Sequence, residues 1–344
     1  MSELLSNLAP ELILSVVACV LFLLGCFRHR GARTVAPILA LAALVLVLLL
    51  QIDFRDTSED SVHRTTIVGG VHVDSLSEYI RFISAALAIV LLLLAWPSRA
   101  DGTGNSALQY GGDGPEFYGL FLFSIAGLLL VSAANDLIVL FLALELVSIP
   151  TYVMVSVSRP VPVAQEAGVK YFFLGALSVA LMLFGFSYLY GTTGEISFPA
   201  LSHKLRAAAA GNGGALPAWE TLAVLLVIVG FAFKMAAFPL HFYAGDVYEG
   251  AATPVTAFLA FVPKTAGFVA LIKLLFILGG PRFDLPPKIV ALLWVLAALT
   301  MTIGNVLALL QNNVKRVLAY SSIAHSGYML VGVVALASQR AGRW

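Results

Sequence analysis

Apolar residues run along this chain in long unbroken blocks, and the polar residues gather in the gaps between them. Neither strict alternation nor a one-faced helical stripe describes the pattern. A helix needs roughly 20 mostly apolar residues to cross the hydrocarbon layer of a bilayer. By that rule about ten blocks qualify, near 10–27, 34–52, 77–96, 117–134, 137–157, 167–190, 220–238, 253–279, 287–310 and 317–337. Backbone polar groups inside a bilayer must be satisfied within the spanning structure, and these blocks are too long for barrel strands. The pattern therefore predicts an all-α, polytopic transmembrane helix bundle. Two longer polar gaps, "DFRDTSEDSVHRTTIVGGVHVD" and "TTGEISFPALSHKLRAAAAGNGGALP", read as loops. A third, "PSRADGTGNSALQYGGDGPE", reads as a flexible linker that sets off three N-terminal helices, residues 1–116, from the rest.

Composition agrees with a membrane chain. Hydrophobic residues make up 60% and charged residues 11% of the 344 residues, where soluble domains carry about 25% charged residues. Mean hydropathy is +0.94. The net charge of +1 provides no basic field for nucleic acid, so the expected surroundings are the lipid bilayer and other membrane proteins. Cys19 and Cys26 lie two turns apart on one block, too far for a disulfide, and show no metal-ligand spacing. The N-terminal stretch lacks a positive leader and carries Glu3 and Glu11, so it reads as a retained span. Arg28, Arg30 and Arg33 follow it. The positive-inside rule then puts the N-terminus outside, with the chain in the bacterial inner (cell) membrane.

Ionisable residues inside the blocks are the candidate chemistry: Glu145, Lys170, Lys234 and Lys264. Each costs about 2.5–3.5 kcal/mol at a helix centre on insertion scales. Together they rival the net stability of a domain, so they are expected to line a shared polar interior. Snorkelling to the interface is the competing reading, most of all for Lys170, near its helix start, and it is the expected behaviour of Arg81 and Lys273. Pro239 follows Lys234 and Pro263 precedes Lys264. Each proline removes a backbone donor, so both are expected helix breaks. Broken helices beside ionisable groups point to ion paths. His241 and His325 lie near membrane depth as possible proton relays, with packing as the plainer alternative. The sequence has no phosphate-binding glycine loop, metal cluster or nucleophile–base set.

Beyond these patterns, "GPEFYGLFLFSIAGLLLVSAANDLIVLFLALELVSIPTYV", "EAGVKYFFLGALS", "FKMAAFPLHFYAGDVYEGAATPVTAFLAFVPKTAGF" and "NNVKRVLAYSSIAHSGYMLVG" resemble spans four to eight and ten of the antiporter-like membrane subunits of proton-translocating NADH:quinone oxidoreductase, respiratory complex I. "DVYEGAATPVTAFLA" resembles the N type. The resemblance implies an antiporter-like fold with broken helices. Its five-helix repeat would cover residues 117–279, and a second repeat would begin in 280–344. It implies Lys234 as the key lysine with Glu145 as its acidic partner. Lys170 and Lys264 would be further proton carriers, and His241 and His325 would lie along a hydrophilic axis. It implies no cofactor in this chain, with NADH, FMN, iron–sulfur clusters and quinone held by partner subunits. Membrane neighbours of the M, K and J types are expected. The family's Trp-x-Pro-Asp and Ala-Pro are replaced here by residues including Tyr243, Gly245 and Ala252. Only "ASQRAGRW" follows the tenth block, so about four family spans are lacking, including one bearing a second buried lysine. A fragment or truncated product is the expectation. The alternatives to a proton pump are an Mrp-type cation/proton antiporter subunit and a truncated, non-pumping assembly scaffold.

Overall fold

The computed structural model describes residues 7–26, 30–58, 66–68, 70–96, 114–280 and 283–340. Most of the expected linker and the Arg28 position lie outside the described residues. The helices are α1 (Ala9–Cys26), α2 (Arg30–Ser58), α3 (Ser75–Leu94), α4 (Pro115–Ala133), α5 (Leu137–Val157), α6 (Pro162–Thr193), α7 (Phe198–Gly211), α8 (Ala218–Lys234), α9 (Tyr243–Gly250), α10 (Thr253–Gly279), α11 (Pro287–Leu309) and α12 (Val314–Arg340). Nine of them, among the described residues, are long and apolar enough to cross a membrane. The block expected at 220–238 is instead interrupted: α8 stops at Lys234 and α9 resumes at Tyr243. The first long loop contains a short antiparallel hairpin that hydropathy did not signal, β1 (Thr66–Val68) with β2 (Val71–Val73), pairing Thr66 with Val73 and Val68 with Val71.

The chain divides into two compact units. One comprises Met1–Ala134, Leu142–Phe172 and Gly250–Val262. Its centre is α4, with 78% of its span buried, where Phe121 meets Phe258 at 4.6 Å between ring centroids. Asp74 caps α3 by accepting from Ser77 N at 2.8 Å, and Ser77 Oγ reaches Ser132 O on α4 at 2.6 Å. Arg81 corrects an expectation. It does not snorkel but is only 3% exposed, ion-paired with Glu11 of α1 and donating to Asn7 O at 3.2 Å. A countercharge 70 residues away makes burial affordable for a guanidinium.

The other unit comprises Asn135–Phe141, Phe173–Glu249 and Pro263–Trp344. Here α11 and α12 form an antiparallel pair. A Cβ on Gly304 would lie 2.7 Å from Ala324 N, so the two backbones approach to a distance that only glycine permits. Ser178 Oγ donates to Gly230 O at 2.9 Å and ties α6 to α8. Large apolar side chains such as Phe184 (61% exposed) point outward, as lipid-facing surfaces require.

Candidate functional site

The site is built on the end of α8. Ala237 N bonds Ala232 O at 2.7 Å and Ala236 N bonds Phe233 O at 2.9 Å. Ala236 has φ 54, the left-handed conformation. This is a Schellman stop with alanine in the position glycine normally fills, at a cost of about 1–2 kcal/mol. It makes Lys234 the last helical residue. An ammonium there meets the negative end of the helix dipole, worth about 0.3–1 kcal/mol when exposed and more when partly buried. Lys234 is 3% exposed. Gly267 of α10 passes directly over it, for a Cβ on Gly267 would lie 2.9 Å from Lys234 Cβ.

Side chains take the carbonyls and amides freed by the stop. Ser326 Oγ donates to Met235 O at 2.7 Å, Tyr243 OH to Phe233 O at 2.9 Å, and Phe238 N to Thr300 Oγ1 at 3.1 Å. Irregular backbone at membrane depth needs such partners. The interruption expected at Pro239 is present, and its helix-ending geometry lies earlier, at Lys234 to Ala237. His241 follows it and is 2% exposed. Neither of its ring nitrogens has a hydrogen-bond partner of normal geometry among the described residues. Its ring lies 4.5 Å from Phe242 and 6.0 Å from Phe238, centroid to centroid.

Lys264, on α10, is 5% exposed. Its Nζ donates to Ser322 O at 2.7 Å and Ser322 Oγ at 2.5 Å. The buried Tyr248 of α9 hydrogen-bonds the same serine. Ser322 and Ser326 are one turn apart on α12, so a single helix face serves both the Lys264 ammonium and the carbonyl beside Lys234. The break expected at Pro263 is absent, because α10 runs through it from Thr253 to Gly279. Proline forfeits one hydrogen bond there, which a long helix held by its neighbours tolerates as a local distortion.

The remaining candidates fall elsewhere. Glu145, on α5 in the first unit, is half-buried, and its carboxylate acts on the buried Tyr152 phenol, whose ring packs edge-on to Tyr171 at 4.6 Å. Lys170 is exposed and pairs with Glu166 at 2.7 Å, the geometry of the surface reading rather than of a buried carrier. His325 is also exposed and meets Tyr328 edge-on at 5.5 Å. Lys273, expected to snorkel, is 9% exposed, held inside by the packing of α10. Thus Lys234, His241 and Lys264 belong to one unit and Glu145 and Lys170 to the other. Ser322, Ser326, Tyr243, Tyr248 and Thr300 were not anticipated. The signal for the serines was their i, i+4 spacing within "AYSSIAHSGY". No group of three His, Cys, Asp or Glu suited to a metal occurs among the described residues.

Comparison with known proteins adds a lineage to this geometry. Residues 134–342 match a family model described as NADH:quinone oxidoreductase/Mrp antiporter, transmembrane. The chain is 37% identical over 334 residues to NADH-quinone oxidoreductase subunit N of Trichlorobacter lovleyi, covering 95% of this chain and 63% of that protein. A chain in the structure of respiratory complex I from Thermus thermophilus with bound aureothin superposes with a TM-score of 0.72 at 30% identity, covering 94% of this chain and 63% of that one. A chain of the Mrp complex from Dietzia sp. DQ12-45-1b has the same fold, with a TM-score of 0.76 at 20% identity, covering 95% of this chain and 58% of that one. The chain thus spans about three fifths of the length of the relatives it matches.

Proposed function

Since this chain belongs to the NADH:quinone oxidoreductase/Mrp antiporter transmembrane family, we propose that it is an N-type membrane-arm subunit that moves protons through buried lysines, driven by redox chemistry in other subunits. The observation that carries this reading is Lys234: a buried lysine ending an interrupted helix, next to Met235, whose carbonyl is bonded by the same α12 face that holds Lys264. In this reading Lys234 is the switching group and Lys264 receives the proton. His241, buried between the rings of Phe238 and Phe242, is a proton relay in this reading. Glu145 is the acidic partner, and Lys170 and His325 have outer roles. Residues 117–279 form the first repeat and 280–344 begin the second. NADH, FMN, iron–sulfur clusters and quinone belong to partner subunits, with M-, K- and J-type chains as membrane neighbours. The N-terminus faces outward from the bacterial cell membrane. Identity to relatives named as subunit N favours this reading over an Mrp-type antiporter, whose likeness here is one of fold.

The test uses membranes holding the assembled complex. Lys234→Ala and Glu145→Ala each sharply reduce proton translocation and the quinone reduction coupled to it, and Glu145→Asp is milder. NADH oxidation by an artificial acceptor and the amount of complex persist. Normal pumping by Lys234→Ala rejects the switch. Assembly without any pumping by the parental chain would establish the scaffold reading in its place.

A further inference from the structure

The eight-residue helix α9 is too short to hold its own shape, and it carries two glycines, Gly245 and Gly250. Its position must be imposed from outside. Beside the buried contacts of Tyr243, Val247 and Tyr248, one charged side chain grips its polar face: Arg316 in the first turn of α12. Its Nη2 pairs with Asp246 Oδ1, and its Nε lies 3.2 Å from Glu249 Oε2, close enough for an ion pair though not aligned as a hydrogen bond. Asn313 completes the cluster. Its Nδ2 donates to Glu249 Oε1 at 2.8 Å, while its Oδ1 accepts from Lys315 N at 2.9 Å and caps α12. Asp246 and Glu249 are three residues apart and therefore share a face. Beneath them Gly245 lets α12 come close, since a Cβ there would lie 3.0 Å from Tyr320 OH.

The charges make sense only as a set. A cation in the first turn of a helix opposes its dipole, and so does an anion in the last turn. Arg316 and Glu249 each occupy that unfavourable end. Asp246, in the first turn of α9, suits its own helix, but Arg316 and Glu249 gain nothing from theirs, so the placement of those two is explained by the partner across the gap. The same α12 holds the other end of the interrupted segment, through Ser326 Oγ on Met235 O.

We propose that Arg316 is a positioning residue: it clamps α9 to α12 through Asp246 and Glu249, so that the segment between Lys234 and Tyr248 is held at both ends by one helix. Its functional part rests on the proton-path reading above. The test is made on the assembled complex with Arg316→Gln, Arg316→Lys and the exchange Asp246→Arg with Arg316→Asp. Hydrogen–deuterium exchange of residues 243–250 reports the clamp without reference to pumping. Arg316→Gln speeds it about fivefold, the order expected when a partly exposed ion pair is lost. Arg316→Lys and the charge exchange recover most of the protection. Translocation per electron pair falls in Arg316→Gln and recovers in the same rescues, with artificial-acceptor activity constant. Unchanged exchange in Arg316→Gln overturns the clamp, and faster exchange with undiminished translocation overturns its role in the path. If Lys234→Ala pumps normally, the proton-path reading fails on its own, and the exchange data alone then decide the clamp.

Discussion

Gly267→Ala tests the closest approach in the site. The added Cβ would lie 2.8 Å from Met235 Cγ, 2.9 Å from Lys234 Cβ and 3.2 Å from Met235 N. Carbon contacts settle near 3.5–4.0 Å, so α10 and the end of α8 must part by about 0.5–1 Å. Overpacking of this kind costs about 1–3 kcal/mol. Alanine returns about 1 kcal/mol of helix propensity, leaving a net loss of about 0–2 kcal/mol. Gly332→Ala is the control, for no atom lies within 4 Å of its added Cβ and only the propensity gain remains. In detergent the Gly267 variant melts below the Gly332 variant. In membranes with the complete complex, a pH-sensitive dye reports translocation reduced about tenfold, since displacements near 1 Å in a reacting constellation cost up to about 10²-fold. Artificial-acceptor activity stays at the parental value. A Gly267→Ala chain that melts with the control and pumps at the parental rate refutes the reasoning.

Lys264→His retains more coupled pumping than Lys264→Leu or Lys264→Met, because a relay needs exchangeable protons whereas packing needs volume; equal activity across the three rejects the relay. Arg81→Leu strands the buried Glu11 carboxylate and destabilises the chain by about 3–5 kcal/mol, while Glu11→Leu combined with it recovers most of the loss, as thermal unfolding in detergent will report. With Cys19 and Cys26 replaced, a cysteine at Ser58 reacts with an impermeant thiol reagent in intact cells and one at Gly31 does not; the opposite pattern inverts the topology.

Much of the fold was legible because bilayer thickness fixes the length of an apolar block: of the ten blocks expected by that rule, nine coincide with helices long and apolar enough to span a membrane among the described residues. The interruption after Lys234 was legible from Pro239, but its geometry was not. The stop is made by Ala236, and alanine gives no local signal for a left-handed residue. Pro263 misled for the opposite reason: a proline in a packed helix can be carried without a break. Arg81 looked like a snorkeller because its partner, Glu11, lies on another helix, and pairings across such separations leave no mark in a local window. Lys234 and Lys264 could be chosen from their burial cost alone. Ser322, which accepts from Lys264, and Ser326, which donates to the carbonyl beside Lys234, could not be assigned those partners, because an apolar helix accepts serine readily and only the fold shows which face it turns inward.

The stop at the end of α8 has one more consequence. Its exposed backbone groups are taken by Ser326, Tyr243 and Thr300, and by the chain's own amides. Hydration is not needed to keep that end open. A conduit that wets and dries in turn needs walls that neither unravel when water leaves nor swell when it returns. Here the backbone next to Lys234 is bonded to hydroxyls of Ser326, Tyr243 and Thr300, so on the proton-path reading proposed above that end would keep its shape whether or not water stands beside the lysine.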